Sequence, residues 1–407
     1  MPPTAYDVDR VRSHFPALRE GAAHFDGPGG SQTPDVVARA VADTLTSAIS
    51  NRGQVTPAER RSDEIVLGAR AAMGDLLAVD PGGVVFGRSA TELTFQLART
   101  LAAGWGEGDE VVVSRLDHDA NIRPWVIAAE RAGATVRWAD FDPSTGELDP
   151  SAVAAVVGPR TRLVAVTAAS NLIGTRPDLP AIADIAHRAG ALFWVDGVHA
   201  SAHVLTDVTA SGADFWVCSP YKFLGPHLGV LAASPALLDT LHPDKLLPSS
   251  DAVPERYEIG TLPYELLAGT TAAVDFLAGL TESPAAAPGR RERLVASFEA
   301  LEHHEDALLD VLEPRLRMLP RVKVCSNAAR RTPTLLFTVA GHDPQAIRMA
   351  LAERQVNAPA GHFYAWECSH HLGLGATGGV RVGLAPYTNA DDIERLVDGV
   401  AAAVRGA

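Results

Sequence analysis

From about residue 80, short apolar runs alternate with helical patterns, and this alternation limits the possible folds more than any other feature of the chain. Residues 84–86, 111–113, 163–166, 192–195 and 215–217 read as buried strands. Helical patterns over 90–103, 120–132 and 179–189 separate several of them. Gly133 and Gly190 follow basic last turns, as helix stops do. The pattern predicts an α/β fold with a mostly parallel central sheet covered by helices.

After residue 280 the texture changes. Residues 282–289, rich in Ala and Pro, read as a linker. A long helix is expected over 290–316, then strands at 322–324 and 334–338 and a helix near 346–353. The expected division is a large domain over 31–283 and a smaller α+β domain over 290–407. The segment 1–30 is expected to reach the active site or the small domain. The net charge of −14 and the lack of a long basic run argue against nucleic acid. No apolar run reaches the roughly 18 residues of a membrane helix. Cys218, Cys325 and Cys368 lie far apart, with neither zinc nor disulfide spacing, so a reducing, cytoplasmic setting is expected.

Three segments carry chemistry. In the first, the apolar strand at 215–217 ends in the turn Ser219-Pro220-Tyr221-Lys222, with glycines following. An amine among apolar groups loses its proton more easily and can attack an aldehyde. Ser219, Tyr221 and the glycines suit a phosphate. In the second, Asp196 closes the strand at 192–195, where open α/β sheets bind ligands. A carboxylate there can keep a pyridine nitrogen protonated, or it can cap a turn. In the third, Ser89 or Thr91 can cap the helix that starts at Ala90, and free N–H groups at its start favour a phosphate.

Phosphate cup, strand-end Asp and lysine, in that order, resemble the fold type I pyridoxal-phosphate (PLP) enzymes of the class V aminotransferase family, closest to the cysteine desulfurase-like subgroup. The resemblance implies PLP as cofactor, Lys222 as its Schiff-base lysine, Asp196 at the ring nitrogen and His118 stacked on the ring. Asn171 resembles the residue near the phenolic oxygen, and His199 stands where the family commonly has glutamine. Residues 24–34, with Gly29, look like the substrate-side loop. Arg381 resembles the arginine that grips the substrate carboxylate. Gly260-Thr261 resembles the pair that reaches the neighbouring subunit's phosphate, which implies a homodimer with shared sites.

The chain also departs from the family. Desulfurases of this type carry a sulfur-accepting cysteine in a Gly-His-His-Cys context, but here the stretch reads Gly361-His362-Phe363-Tyr364-Ala365. His362 and Tyr364 are therefore expected beside the substrate. Cys368, four residues after Tyr364, is expected in a short helix whose Trp366, Cys368 and Leu372 share burial. The leading expectation is a lyase that cleaves the Cβ–S bond of a small cysteine-like amino acid. An aminotransferase and a non-catalytic binding protein are the alternatives. A dinucleotide dehydrogenase is disfavoured, because no Gly-x-Gly-x-x-Gly follows a first strand.

Overall fold

A computed structural model describes residues 6–281 and 289–405. Most of the expected linker, residues 282–288, lies outside them. The two-residue strand β1 (Ala23–His24) comes first. The large sheet follows: β2 (Val84–Gly87), β3 (Glu110–Ser114), β4 (Thr135–Ala139), β5 (Thr161–Thr167), β6 (Leu192–Asp196), β7 (Phe215–Cys218) and β8 (Gly229–Ala233). Their order is β2-β8-β7-β6-β5-β3-β4. Only β8 runs against the direction of the other six strands. The fold is thus α/β with a mostly parallel sheet, as the alternation predicts.

Side chains alternate across this sheet. Val112, Val164, Val166, Phe193 and Val195 join one apolar cluster. Val111, Val113, Leu163, Ala165 and Trp194 join the cluster on the opposite face. Helices cover both. Register then sets the functional edge: Thr167 pairs with Asp196, and Asp196 with Val217. The polar turns after β5, β6 and β7 therefore leave the sheet side by side.

A second sheet is antiparallel, with the order β12-β13-β10-β9. It comprises β9 (Val322–Val324), β10 (Thr334–Val339), β12 (Ala360–Gly361) and β13 (Gly379–Gly383). The short strand β11 (Val356–Asn357) pairs in parallel with β1. Phe25 joins Leu335, Phe337, Val380 and Val382 in a third apolar cluster. The helix Arg290–Met318 bridges the clusters. Its Leu294, Phe298 and Leu301 pack with the large sheet, and its Leu309, Leu312 and Leu316 with the small one. Among the described residues, no helix is long and apolar enough to cross a membrane.

Candidate active site

A cavity of about 630 Å³ opens beyond the carboxyl ends of β5, β6 and β7, within the roughly 300–1,000 Å³ typical of small-molecule sites. Lys222 enters it from the turn Pro220–Lys222. Its Nζ donates to the Pro28 carbonyl at 2.6 Å and lies 4.9 Å from the centre of the Tyr221 ring. Burial pushes this amine down to about 7; Arg381 adds to the effect and Asp196 opposes it. Burial likewise pushes Asp196 up to about 6, against the Val198 N–H on Oδ1 at 2.9 Å and the charge of Lys222.

His118 lines the wall, and its Nδ1 accepts from the Ala120 N–H at 3.0 Å. Burial, then Lys222 and Arg381, lower it to about 4, so it is neutral at physiological pH. His199 is buried with Nε2 2.9 Å from Thr332 Oγ1 and 3.1 Å from Thr334 Oγ1. Burial, reinforced by His203, holds it well below the usual histidine range.

Ser89 caps the helix Ala90–Ala102 by accepting from the Glu92 N–H. Ala90 and Thr91, whose N–H groups precede the first intrahelical bond, line the cavity together with Ser219. The ring of Tyr221 stacks on His227 with centroids 4.7 Å apart. Gly229 of β8 brings this helix start onto the sheet: a Cβ there would lie 2.2 Å from the Ser89 carbonyl carbon.

On the opposite wall Arg381 is buried. Its Nη1 donates to the Asn171 carbonyl at 2.9 Å, and its guanidinium lies 3.8 Å from the centre of the Phe363 ring. Burial lowers it to about 9 with Asp26 opposing, so it stays cationic at neutral pH. Gly29 lies beside it, where a Cβ would stand 3.5 Å from Nη2. Asn171 donates from Nδ2 to the Phe363 carbonyl at 3.0 Å, and its buried Oδ1 has no partner.

His362, expected beside the substrate, lies elsewhere, while Gly260 and Thr261 are expected at a neighbouring subunit's site. His362 faces a separate outer groove. Gly260 and Thr261 are exposed and do not line this cavity. Of the expected shared burial of Trp366, Cys368 and Leu372, the last two join one apolar cluster and Trp366 does not. Cys368 is fully buried in the helix Trp366–His371, Leu372 is half-buried, and Trp366 is 40% exposed against His362 and His370. The sequence reading missed Arg123, Asp119, Phe363 and Thr167, all of which line the cavity. Arg123 and Asp119 form an i,i+4 ion pair at 2.9 Å, a spacing visible in the sequence. Phe363 and Tyr364 have φ of 51° and 58°, a conformation that costs a non-glycine residue about 1–3 kcal/mol.

A family model for aminotransferase class-V matches residues 23–396. The chain belongs to the class-V aminotransferase family. It is 36% identical to an uncharacterized protein of Mycobacterium tuberculosis, over 98% of this chain and 99% of that one. It is 32% identical to a probable cysteine desulfurase of Mycobacterium leprae, over 97% of this chain and 64% of the relative. The crystal structure of the cysteine desulfurase CsdA from Escherichia coli superposes with a TM-score of 0.86 at 26% identity, covering 98% of this chain and 99% of CsdA. This class-V member is accordingly a PLP-dependent enzyme. Its residues fit that cofactor: a buried amine freed near neutral pH, a strand-end carboxylate, a capped helix start, and the unpartnered Oδ1 of Asn171 converge on one cavity.

Proposed function

We propose that this enzyme cleaves the Cβ–S bond of a cysteine-like amino acid as a lyase, without passing sulfur to a thiol of its own. One observation carries the reading: Cys218, Cys325 and Cys368 are all buried, and none lines the cavity. Tyr364 stands at its mouth instead, 71% exposed. Burial raises the Cys368 thiol, with Asp117 adding to the effect, and a protonated thiol is a poor nucleophile. The desulfurases among the relatives support a cysteine-like substrate.

Bound PLP supplies an aldehyde for the substrate amine and a ring that takes up the electrons released at Cα. Lys222 would hold that aldehyde, and its neutral Nζ would be the group placed to take the Cα proton. Asp196 would hold the ring nitrogen, whose positive charge would favour the ionised carboxylate. His118, uncharged, would stack on the ring. The amide of Asn171 and the ring of His199 would serve the phenolic oxygen. Ser89, Ala90, Thr91, Ser219 and Tyr221 form the phosphate end. Arg381 holds the substrate carboxylate with two parallel N–H bonds beside Gly29. Gly260 and Thr261 are free to reach a second subunit, so the reading includes a homodimer with shared sites. Three free thiols support a cytoplasmic setting.

The test is intact-protein mass spectrometry after incubation with L-cysteine in the absence of reductant. No sulfur should be gained, and Cys368→Ser should keep most of its activity. A gain of one sulfur at Cys368, with activity lost in Cys368→Ser, would make the protein a desulfurase with a relocated thiol.

A further inference from the structure

Arg381, Asn171 and Phe363 close a ring of contacts on one wall of the cavity. Arg381 Nη1 donates to the Asn171 carbonyl at 2.9 Å. Asn171 Nδ2 donates to the Phe363 carbonyl at 3.0 Å. The Phe363 ring centre lies 3.8 Å from the Arg381 guanidinium carbon. All three residues line the cavity. The backbone bends to complete this ring. The strand Ala360–Gly361 pairs with Gly379 and Val380, next to Arg381, and the Arg381 N–H donates to the Pro359 carbonyl at 2.9 Å. The chain then turns through Phe363 and Tyr364, both at positive φ. The Asp119 N–H holds the Tyr364 carbonyl at 2.7 Å. Two consecutive strained residues persist only where their surroundings fix them.

We propose that Phe363 is a positioning residue for the substrate: its ring sets the plane of the Arg381 guanidinium, and with it the direction from which a carboxylate is gripped. This rests on Arg381 holding the substrate carboxylate. A guanidinium grips a carboxylate through two N–H groups in its own plane, so a tilt of that plane breaks the match to both oxygens at once. The Asn171 carbonyl restrains one nitrogen, and one hydrogen bond alone leaves rotation about it open. Arg381 is only 2% exposed, and its Nε has no hydrogen-bond partner. The aromatic face supplies the second restraint, through an attraction that strengthens where water is excluded. Phenylalanine suits the place for a further reason. The desulfurase pattern has its second histidine here, which could take a charge that repels Arg381; the ring of Phe363 cannot.

The experiment measures equilibrium binding to the PLP-loaded enzyme, by the visible absorbance of the bound cofactor. The probes are L-alanine, which has no sulfur to lose, and L-alaninamide, which lacks the carboxylate. The wild type should favour L-alanine. Phe363→Leu and Phe363→Met, which keep apolar bulk but lose the aromatic face, should each shrink that preference by roughly tenfold. Phe363→Tyr should retain it. Equal weakening of both probes in the Leu and Met variants would mark a merely structural role. A preference unchanged in those variants, or lost as fully in Phe363→Tyr, would show that the aromatic face does not position Arg381. Each of these results overturns the proposal and leaves Arg381 as the carboxylate-binding residue. A wild type that binds both probes equally overturns that reading as well.

Discussion

A lysine carries PLP only if its amine can shed a proton, and the surroundings of Lys222 arrange this near neutral pH. With its value lowered to about 7, the cofactor-free enzyme should capture added PLP at a rate that rises up to about pH 7 and then levels. Stopped-flow absorbance measures this; a rate still climbing through pH 9 would mark an ordinary lysine. The linked effect on stability has a definite sign. Between about pH 7 and 10.4 the unfolded chain holds a proton on this lysine that the folded chain lacks. The contribution of Lys222 therefore makes the cofactor-free fold more stable as pH rises through that window. At this scale Lys222 and Asp196 were legible as cavity residues because Asp196 ends an apolar strand and Lys222 sits in the polar turn after one. His362 was misplaced for a physical reason. Positive φ at Phe363 and Tyr364 turns those two residues toward the cavity and His362 outward, and no sequence pattern announces αL backbone at aromatic residues.

Among the elements, the contact between β8 and the helix Ala90–Ala102 positions the helix start proposed for the phosphate. Gly229→Ala would set a methyl 2.6 Å from the Ala90 nitrogen and force strand and helix apart. The expected cost is about 1–3 kcal/mol, read as a lower Tm, together with faster loss of PLP on dialysis. Unchanged Tm and PLP retention would show that the contact gives way without consequence. Strands buried on both faces were readable as continuous apolar runs, and β9 falls on the expected residues. The edge strand β4 was not, because Thr135 and Arg137 face solvent and break the run. The helix Tyr264–Leu277 also went unread: it is apolar on most sides and shows little helical period. The helix Pro57–Leu77 was missed despite a clear signal, the capping box of Thr56 and Glu59.

For the whole molecule, the proposed homodimer predicts complementation. Lys222→Ala and Thr261→Ala subunits, each impaired alone, should regain activity when mixed, since each hybrid holds one site with both native residues. A fully active monomer, or no recovery in proven hybrids, would contradict shared sites. Leu246, Leu247 and Ile259 are 66%, 97% and 63% exposed on the segment that carries Gly260, as expected of a surface that a second copy covers. The change of texture near residue 280 was legible. That one helix, Arg290–Met318, would serve both apolar clusters was not, since composition does not say which half packs where. The central claim is that carbon–sulfur cleavage here needs no protein thiol, and the products from L-cysteine without any keto acid test it most directly. The account predicts pyruvate, ammonia and sulfide in equal amounts over many turnovers. Alanine in place of pyruvate, with sulfur retained on the protein, would contradict it.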